Sequence, residues 1–192
     1  RITDGYDVES AVFEATTAPS IFGGARLSWG GIGWNLRLAD GITLVFHGER
    51  GGRLQAVRDA NGNQVTIQRE RDQLGRETDT ISSLTSPSGR TIRFRWHDRR
   101  LAEATDDLER TVTYTYDERD RLASVQLPGG GELGYHYDDD DRLATITGPG
   151  GSTIVANEYD DDARVVRQVG SDGLAHTFSY VVDDRDRVIE TT

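Results

Sequence analysis

The side chains with chemical capacity in this sequence are carboxylates, guanidiniums, phenols and a few imidazoles. Aspartates gather at Asp138 to Asp141, Asp160 to Asp162 and Asp183-Asp184. Oxygen-rich loops suit calcium, which takes about six to eight oxygen ligands, yet no Asp-x-Asp-x-Asp-Gly loop or glycine-rich nonapeptide accompanies them. The plainer reading is a set of solvated turns whose carboxylates balance the arginines Arg100, Arg121, Arg142, Arg164 and Arg187. His47, His97, His136 and His176 are dispersed, with no His-x-x-x-His pair and no Gly-x-Ser-x-Gly elbow, so no nucleophile and base are brought together by motif. With 33 acidic residues, some carboxylate pair always lies at a glycosidase-like separation and therefore identifies nothing. No catalytic, cofactor-binding or metal-binding residue is assigned, and the expectation is a non-enzymatic protein without a cofactor.

These groups recur at a fixed interval. Tyr114 and Tyr116 precede Asp117, Arg121 and Leu122; Tyr135 and Tyr137 precede Asp138, Arg142 and Leu143, 21 residues later; Tyr159, Asp160, Arg164 and Val165 follow after 22 more. A period near 20 residues marks a repeat architecture, in which each unit buries its apolar side only against its neighbours. The apolar column runs Leu54, Ile81, Leu101, Leu122, Leu143, Val165 and Val188. Three places on stand Val57, Leu84, Ala104, Val125 and Ile146, and the column lapses at Gln168. Eight places after each leucine-column member comes Gly62, Gly89, Gly130, Gly151 or Gly173, with Glu109 the one exception.

The elements that must carry these columns are strands. Apolar residues alternate at Ile92, Phe94 and Trp96, at Val112, Tyr114 and Tyr116, at Leu133, Tyr135 and Tyr137, at Val155, Asn157 and Tyr159, and at Phe178, Tyr180 and Val182, the period of a half-buried strand. Each unit is thus two strands joined by the glycine turn and closed by the charged turn. Upstream, Arg26 to Trp29, a turn at Gly30 to Gly33, and the alternations Trp34, Leu36, Leu38 and Ile42, Leu44, Phe46 around Asp40-Gly41 give hairpins, since Asp-Gly accepts the positive φ of tight turns. Residues 1 to 25 offer only Phe13 and Phe22 as anchors before Gly23-Gly24. The spacing predicts Glu70 to Thr80 to be a charged loop leaving the sheet. The tyrosines could be a platform for a glycan, but aromatic columns more often serve cross-strand packing; Trp29, Trp34 and Trp96 read as core. His176 is expected to be half-buried.

Composition sets the bounds. Net charge −11 and a pI near 4.8 oppose nucleic-acid binding, which needs clustered cations. All 22 basic residues are arginine, a bias that fits a GC-rich genome better than selection for high salt. With no cysteine there are no disulfides or thiolate sites, and with no methionine the chain reads as an excised piece. No apolar run approaches the length of a membrane-spanning helix. A wide, one-sided sheet cannot rest flat in water, so it must curve around itself, further repeats or a cargo.

The Tyr-Asp followed by Arg-Leu, as in Tyr116-Asp117-Glu118-Arg119-Asp120-Arg121-Leu122, resembles the YD repeat of the Rhs family, the rearrangement hotspot proteins, over about residues 30 to 192. Asn157-Glu158-Tyr159-Asp160 with Ala163-Arg164-Val165 is a further match, and Gly33-Trp34-Asn35-Leu36 and Asp59-Ala60-Asn61-Gly62-Asn63 resemble lead-in segments. The family places glycine before the arginine, where this chain has Asp120, Asp141, Ala163 and Asp186, so these turns are expected to be strained or differently shaped. The resemblance implies an all-β repeat array of antiparallel hairpins of about 20 to 23 residues, a curved sheet that is part of a shell. Residues 1–45 would lead in, and 46–192 would be the repeats, the last unit truncated. It implies a shell wall around a polymorphic toxin or other cargo, secreted or at the cell surface, with further Rhs repeats and the enclosed polypeptide as partners. The family's Asp-Pro-rich cleavage segment has no counterpart here, so cleavage and toxin would lie beyond Thr192. The alternative is an extracellular adhesive module or fibre, self-associating through open strand edges and binding a glycan.

Overall fold

The computed structural model describes residues 12–14, 22–48, 52–182 and 188–191. In chain order the strands are β1 (Val12–Glu14), β2 (Arg26–Trp29), β3 (Gly33–Arg37), β4 (Thr43–His47), β5 (Leu54–Arg58), β6 (Gln64–Arg71), β7 (Glu77–Thr85), β8 (Thr91–His97) and β9 (Arg100–Asp106). They continue with β10 (Thr111–Tyr116), β11 (Leu122–Gln126), β12 (Glu132–Tyr137), β13 (Leu143–Thr147), β14 (Thr153–Tyr159), β15 (Val165–Gly170), β16 (Ala175–Thr177), β17 (Tyr180–Val182) and β18 (Val188–Thr191). A 3-10 turn at Pro149–Gly151 is the one helical element among the described residues. The chain is all-β, as its alternation predicts.

Two compact units divide it: Arg1–Arg99 with Thr105–Glu109, and Arg100–Ala104 with Arg110–Thr192. In the first, each strand from β1 to β8 pairs antiparallel with the next. Its apolar residues meet in cross-strand rows, Leu27–Leu36–Leu44–Val57–Val65 and Trp29–Trp34–Phe46–Leu54. The intervening positions hold the row Ser28–Asn35–Val45–Ala56–Thr66–Thr85–Thr91 on the other face. In the second unit β10 to β16 pair in the same consecutive way, and β17 and β18 form a hairpin of their own. Tyr114–Val125–Leu133 and Tyr135–Ile146–Val155 are its matching rows.

A spacing of three between Leu122 and Val125 would put them on opposite faces of a regular strand. A bulge resolves this. Thr115 pairs with Ser124 but Tyr116 pairs with Leu122, so Ala123 is skipped, and the extra residue turns Leu122 back to the side of Val125. The same shift separates His136 from Tyr137, Glu158 from Tyr159, and Val45 from Phe46. The bulge repeats with the sequence.

The glycine column marks the turn at the far end of each hairpin. Gly62, Gly89, Gly130, Gly151 and Gly173 all have positive φ, and Glu109 takes the same conformation at φ 58°. A left-handed position is what glycine occupies without a Cβ clash, which explains the column. At the opposite end Asp120, Asp141 and Ala163 have φ of 66°, 66° and 60°. They keep the left-handed shape of Gly75 at φ 75° and bear its steric cost. The turn shape is therefore conserved within the chain and the strain is borne by the side chain. Asp186 lies outside the described residues.

Four expectations need correction. Glu70 to Thr80 does not leave the sheet; β6 and β7 extend to Arg71 and from Glu77, paired to the end. The charged side chains lie along a longer hairpin, and the Asp72-to-Gly75 turn closes it. Trp29, Trp34 and Trp96 are half-buried rather than core, because the described strands of the first unit lie in one sheet. His176 is exposed in β16. The strand expected through Phe178 to Val182 is interrupted after Thr177, although Phe178 N still donates to Val166 O.

Candidate functional site

The tyrosine face of the second unit is the best-defined constellation. The carbonyl of a bulged residue loses its ladder partner, and a buried unpaired carbonyl costs stability. The β11–β12 register runs only from Ser124↔Gly134 to Gln126↔Glu132, which leaves Leu122 O outside it. Tyr137 reaches across and donates its hydroxyl to Leu122 O at 3.0 Å. Tyr116 does the same to Leu101 O, Tyr159 to Leu143 O and Tyr180 to Val165 O. Burial of the Tyr137 ring pushes its phenol pKa up.

The other end of each motif is an aspartate clamp. Asp117 Oδ1 accepts the backbone N–H groups of Arg119 and Arg121, and its Oδ2 accepts Arg121 Nε at 2.8 Å. Asp138 holds Asp140 and Arg142 in the same way, and Asp160 holds Asp162 and Arg164. One carboxylate thereby satisfies the turn and fixes the guanidinium beside it. Hydrogen bonds from the Arg121 and Arg164 backbones lead the forces that lower the pKa values of Asp117 and Asp160. At Asp138 burial raises the value, and the hydrogen bonds from Arg142 outweigh it. The fixed guanidinium lies over the next tyrosine: Arg121 over Tyr137 at 4.3 Å, Arg142 over Tyr159 at 4.9 Å and Arg164 over Tyr180 at 5.3 Å from the ring centre. These are cation–π distances.

The arginine column and the acidic clusters are thus one network. Asp141 receives Arg119 and Arg121, and Asp140 and Asp162 pair with Arg142 and Arg164. Among the described residues no group of three or more His, Cys, Asp or Glu is arranged to hold a metal ion. Asp183-Asp184 and Arg187 lie outside the described residues. Of the rings expected to offer a glycan platform, Tyr116, Tyr137, Tyr159 and Tyr180 each have a guanidinium over one face. His97 sits by Asp98, and His136 Nε2 is 3.5 Å from Thr147 Oγ1; the histidines stay apart. Among the described residues no helix is long and apolar enough to cross a membrane.

Two members of the carbonyl-capturing set escape a search for tyrosine. In the first unit Trp96 Nε1 donates to Ile81 O at 2.7 Å and Arg69 Nη1 to Leu54 O at 2.8 Å. Both stand 15 residues after their leucine-column acceptor, the same offset as Tyr116, Tyr137 and Tyr180. Counting from the column, rather than matching residue type, would have found them. Where the column lapses, a polar pair replaces an apolar one: Gln168 Nε2 donates to Asn157 Oδ1 at 2.9 Å, and Asn157 Nδ2 joins Tyr159 on Leu143 O.

Burial is partial in both units. Of the apolar residues described, Ala25, Ala56 and Val125 alone are buried, and no large side chain is fully so. Ile92, in the first unit's apolar row with Leu84, is 44% exposed.

Several solved structures resemble the chain. One is the Photorhabdus luminescens Tc holotoxin pore, with TM-score 0.47 and 12% identity over 82% of this chain and 10% of that one. Another is the TcdB2-TccC3-Cdc42 structure, with TM-score 0.49 and 12% identity over 94% of this chain and 10% of that one. The chain spans about a tenth of the length of these two. No curated protein matches it. The RHS Repeat family model matches residues 98–132, from the turn before β9 to the start of β12, so this stretch of the chain is similar to an RHS repeat.

Proposed function

We propose that the chain is a non-enzymatic wall segment of an Rhs-type shell, secreted or displayed at the cell surface, that encloses a toxin or other cargo polypeptide. The observation that carries this reading is the one-sided face of the second unit: tyrosines and aliphatics in register along the strands, most of them only half-buried among the described residues. Apolar area left in water costs roughly 25 cal/mol per Å², so a row of such hairpins gains by placing this face against further protein. Residues 1–45 would lead into the repeats and 46–192 would form them. Sequestration is the mechanism: the face holds cargo away from its producer, and the clamped turns keep the wall in register.

The test is photocross-linking in the intact protein, with a benzoylphenylalanine replacing Val155 on the tyrosine face or His136 on the other face. Links from Val155 to an enclosed polypeptide, and none from His136, are the expected result. Equal yields from both positions would overturn the reading, and links between copies would favour the fibre.

A further inference from the structure

We propose that Asn61 is a site of spontaneous deamidation whose rate is set by the Asp59 turn clamp. The chain has four asparagines, Asn35, Asn61, Asn63 and Asn157, and only Asn61 precedes a glycine. It sits at the tip of the β5–β6 hairpin with Gly62, both exposed. A Cβ built on Gly62 would meet nothing within 4 Å, so the side of the turn where a side chain would stand is open. The Asn61 side-chain amide has no hydrogen-bond partner among the described residues. Asn63 and Asn157, by contrast, commit their amide nitrogens to Asp59 Oδ2 and Leu143 O. The equivalent tip positions of the other glycine-column turns are Ser88, Leu108, Gly129, Gly150 and Asp172, none of which carries an amide.

The reaction needs only water. The Gly62 backbone nitrogen gives up its proton and attacks Asn61 Cγ; a C–N bond forms, and the side-chain nitrogen leaves as ammonia. Water then opens the cyclic imide. Attack at the main-chain carbonyl gives isoaspartate, and attack at Cγ gives aspartate.

The folded turn opposes the first step. Gly62 N donates to Asp59 O at 3.2 Å, and Asp59 Oδ1 accepts from Asn61 N at 2.9 Å and from Asn63 N at 2.8 Å. The nucleophile is engaged until the turn opens, so the reaction samples the opened hairpin. Isoaspartate adds a methylene to the backbone of this tight turn, and the three bonds to Asp59 cannot all re-form around it. The hairpin is loosened once modified.

The experiment incubates the purified chain and the synthetic peptide 59–69 side by side at 37 °C and mildly alkaline pH. Trypsin releases the same peptide from the protein, since Arg58 and Arg69 bound it, and fragmentation assigns the modified residue. Asn61 should deamidate about tenfold faster than Asn35, Asn63 or Asn157, glycine offering no Cβ to hinder ring closure. It should react several times more slowly in the folded chain than in the peptide. Asp59→Ala should raise the folded-chain rate toward the peptide's, while Asp59→Asn, which keeps an acceptor oxygen, should raise it less. Asn61 reacting no faster than Asn63, or equal rates in folded chain and peptide, would overturn the proposal.

Discussion

The two units solve one problem with different residues. In the second, the carbonyls of Leu122, Leu143 and Val165 are each met by a tyrosine hydroxyl, with an arginine on the ring and an aspartate behind the arginine. In the first, Trp96 and Arg69 meet the carbonyls, and Asp72 with Arg76 and Asp59 with Asn63 make the clamps. The fold requires a donor that reaches the carbonyl, not a phenol as such. Substitution has a cost there: Arg69 Nε is buried without a hydrogen-bond partner, whereas the second unit has no such atom among its described residues. Regularity in the second unit reflects a fuller set of satisfied groups.

Acid should have the largest effect, and it should act on both units. The pKa values of Asp59, Asp72, Asp117, Asp138 and Asp160 all lie below the usual 3.8. A carboxylate depressed in the folded state contributes stability that is present above the unfolded value and is lost as the pH falls through the folded one. Thermal melting should therefore be level down to about pH 5 and fall steeply below it. Asp138→Asn should start lower at neutral pH and show a shallower fall, since its clamp no longer titrates. A fall of equal slope in the variant would break the link between clamp and unit.

Next in size is Tyr137→Ala, which removes the half-buried ring, the donor to Leu122 O and the platform for Arg121. Chemical denaturation should show a loss of about 3 kcal/mol. Tyr137→Phe and Trp96→Phe sharpen the comparison, because each keeps an aromatic ring and deletes the bond. Both should lose about 1 kcal/mol, and a loss in one unit only would show that the donors are not equivalent. Smallest is Ala163→Gly, which relieves the left-handed alanine and should gain about 0.5 to 1 kcal/mol. No gain would mean that the turn pays nothing for its side chain.

Much of this was legible in the sequence, and the gaps have physical causes. The strand columns, the glycine turns and the Asp40-Gly41 hairpin follow from period two and positive φ. The spacing of three between Leu122 and Val125 already signalled a bulge, because no straight strand puts both on one face. The hairpin at 70–80 was hidden by its charges, yet Asp72-Gln73-Leu74-Gly75-Arg76 has the aspartate-to-arginine spacing of Asp117 to Arg121. What could not be read was the destination of the tyrosine hydroxyls. That bond joins residues 15 apart through a main-chain oxygen, and a carbonyl leaves no mark on the sequence. The half-burial of Trp29 and Trp96 was also illegible, because alternation identifies an apolar face without saying what covers it.

What covers that face is best measured by electron cryomicroscopy of the intact protein. We predict polypeptide density lying against Tyr116, Tyr137 and Tyr159, inside a wall to which these hairpins belong. A map in which those tyrosines front bulk solvent, with no enclosed density, would contradict the account.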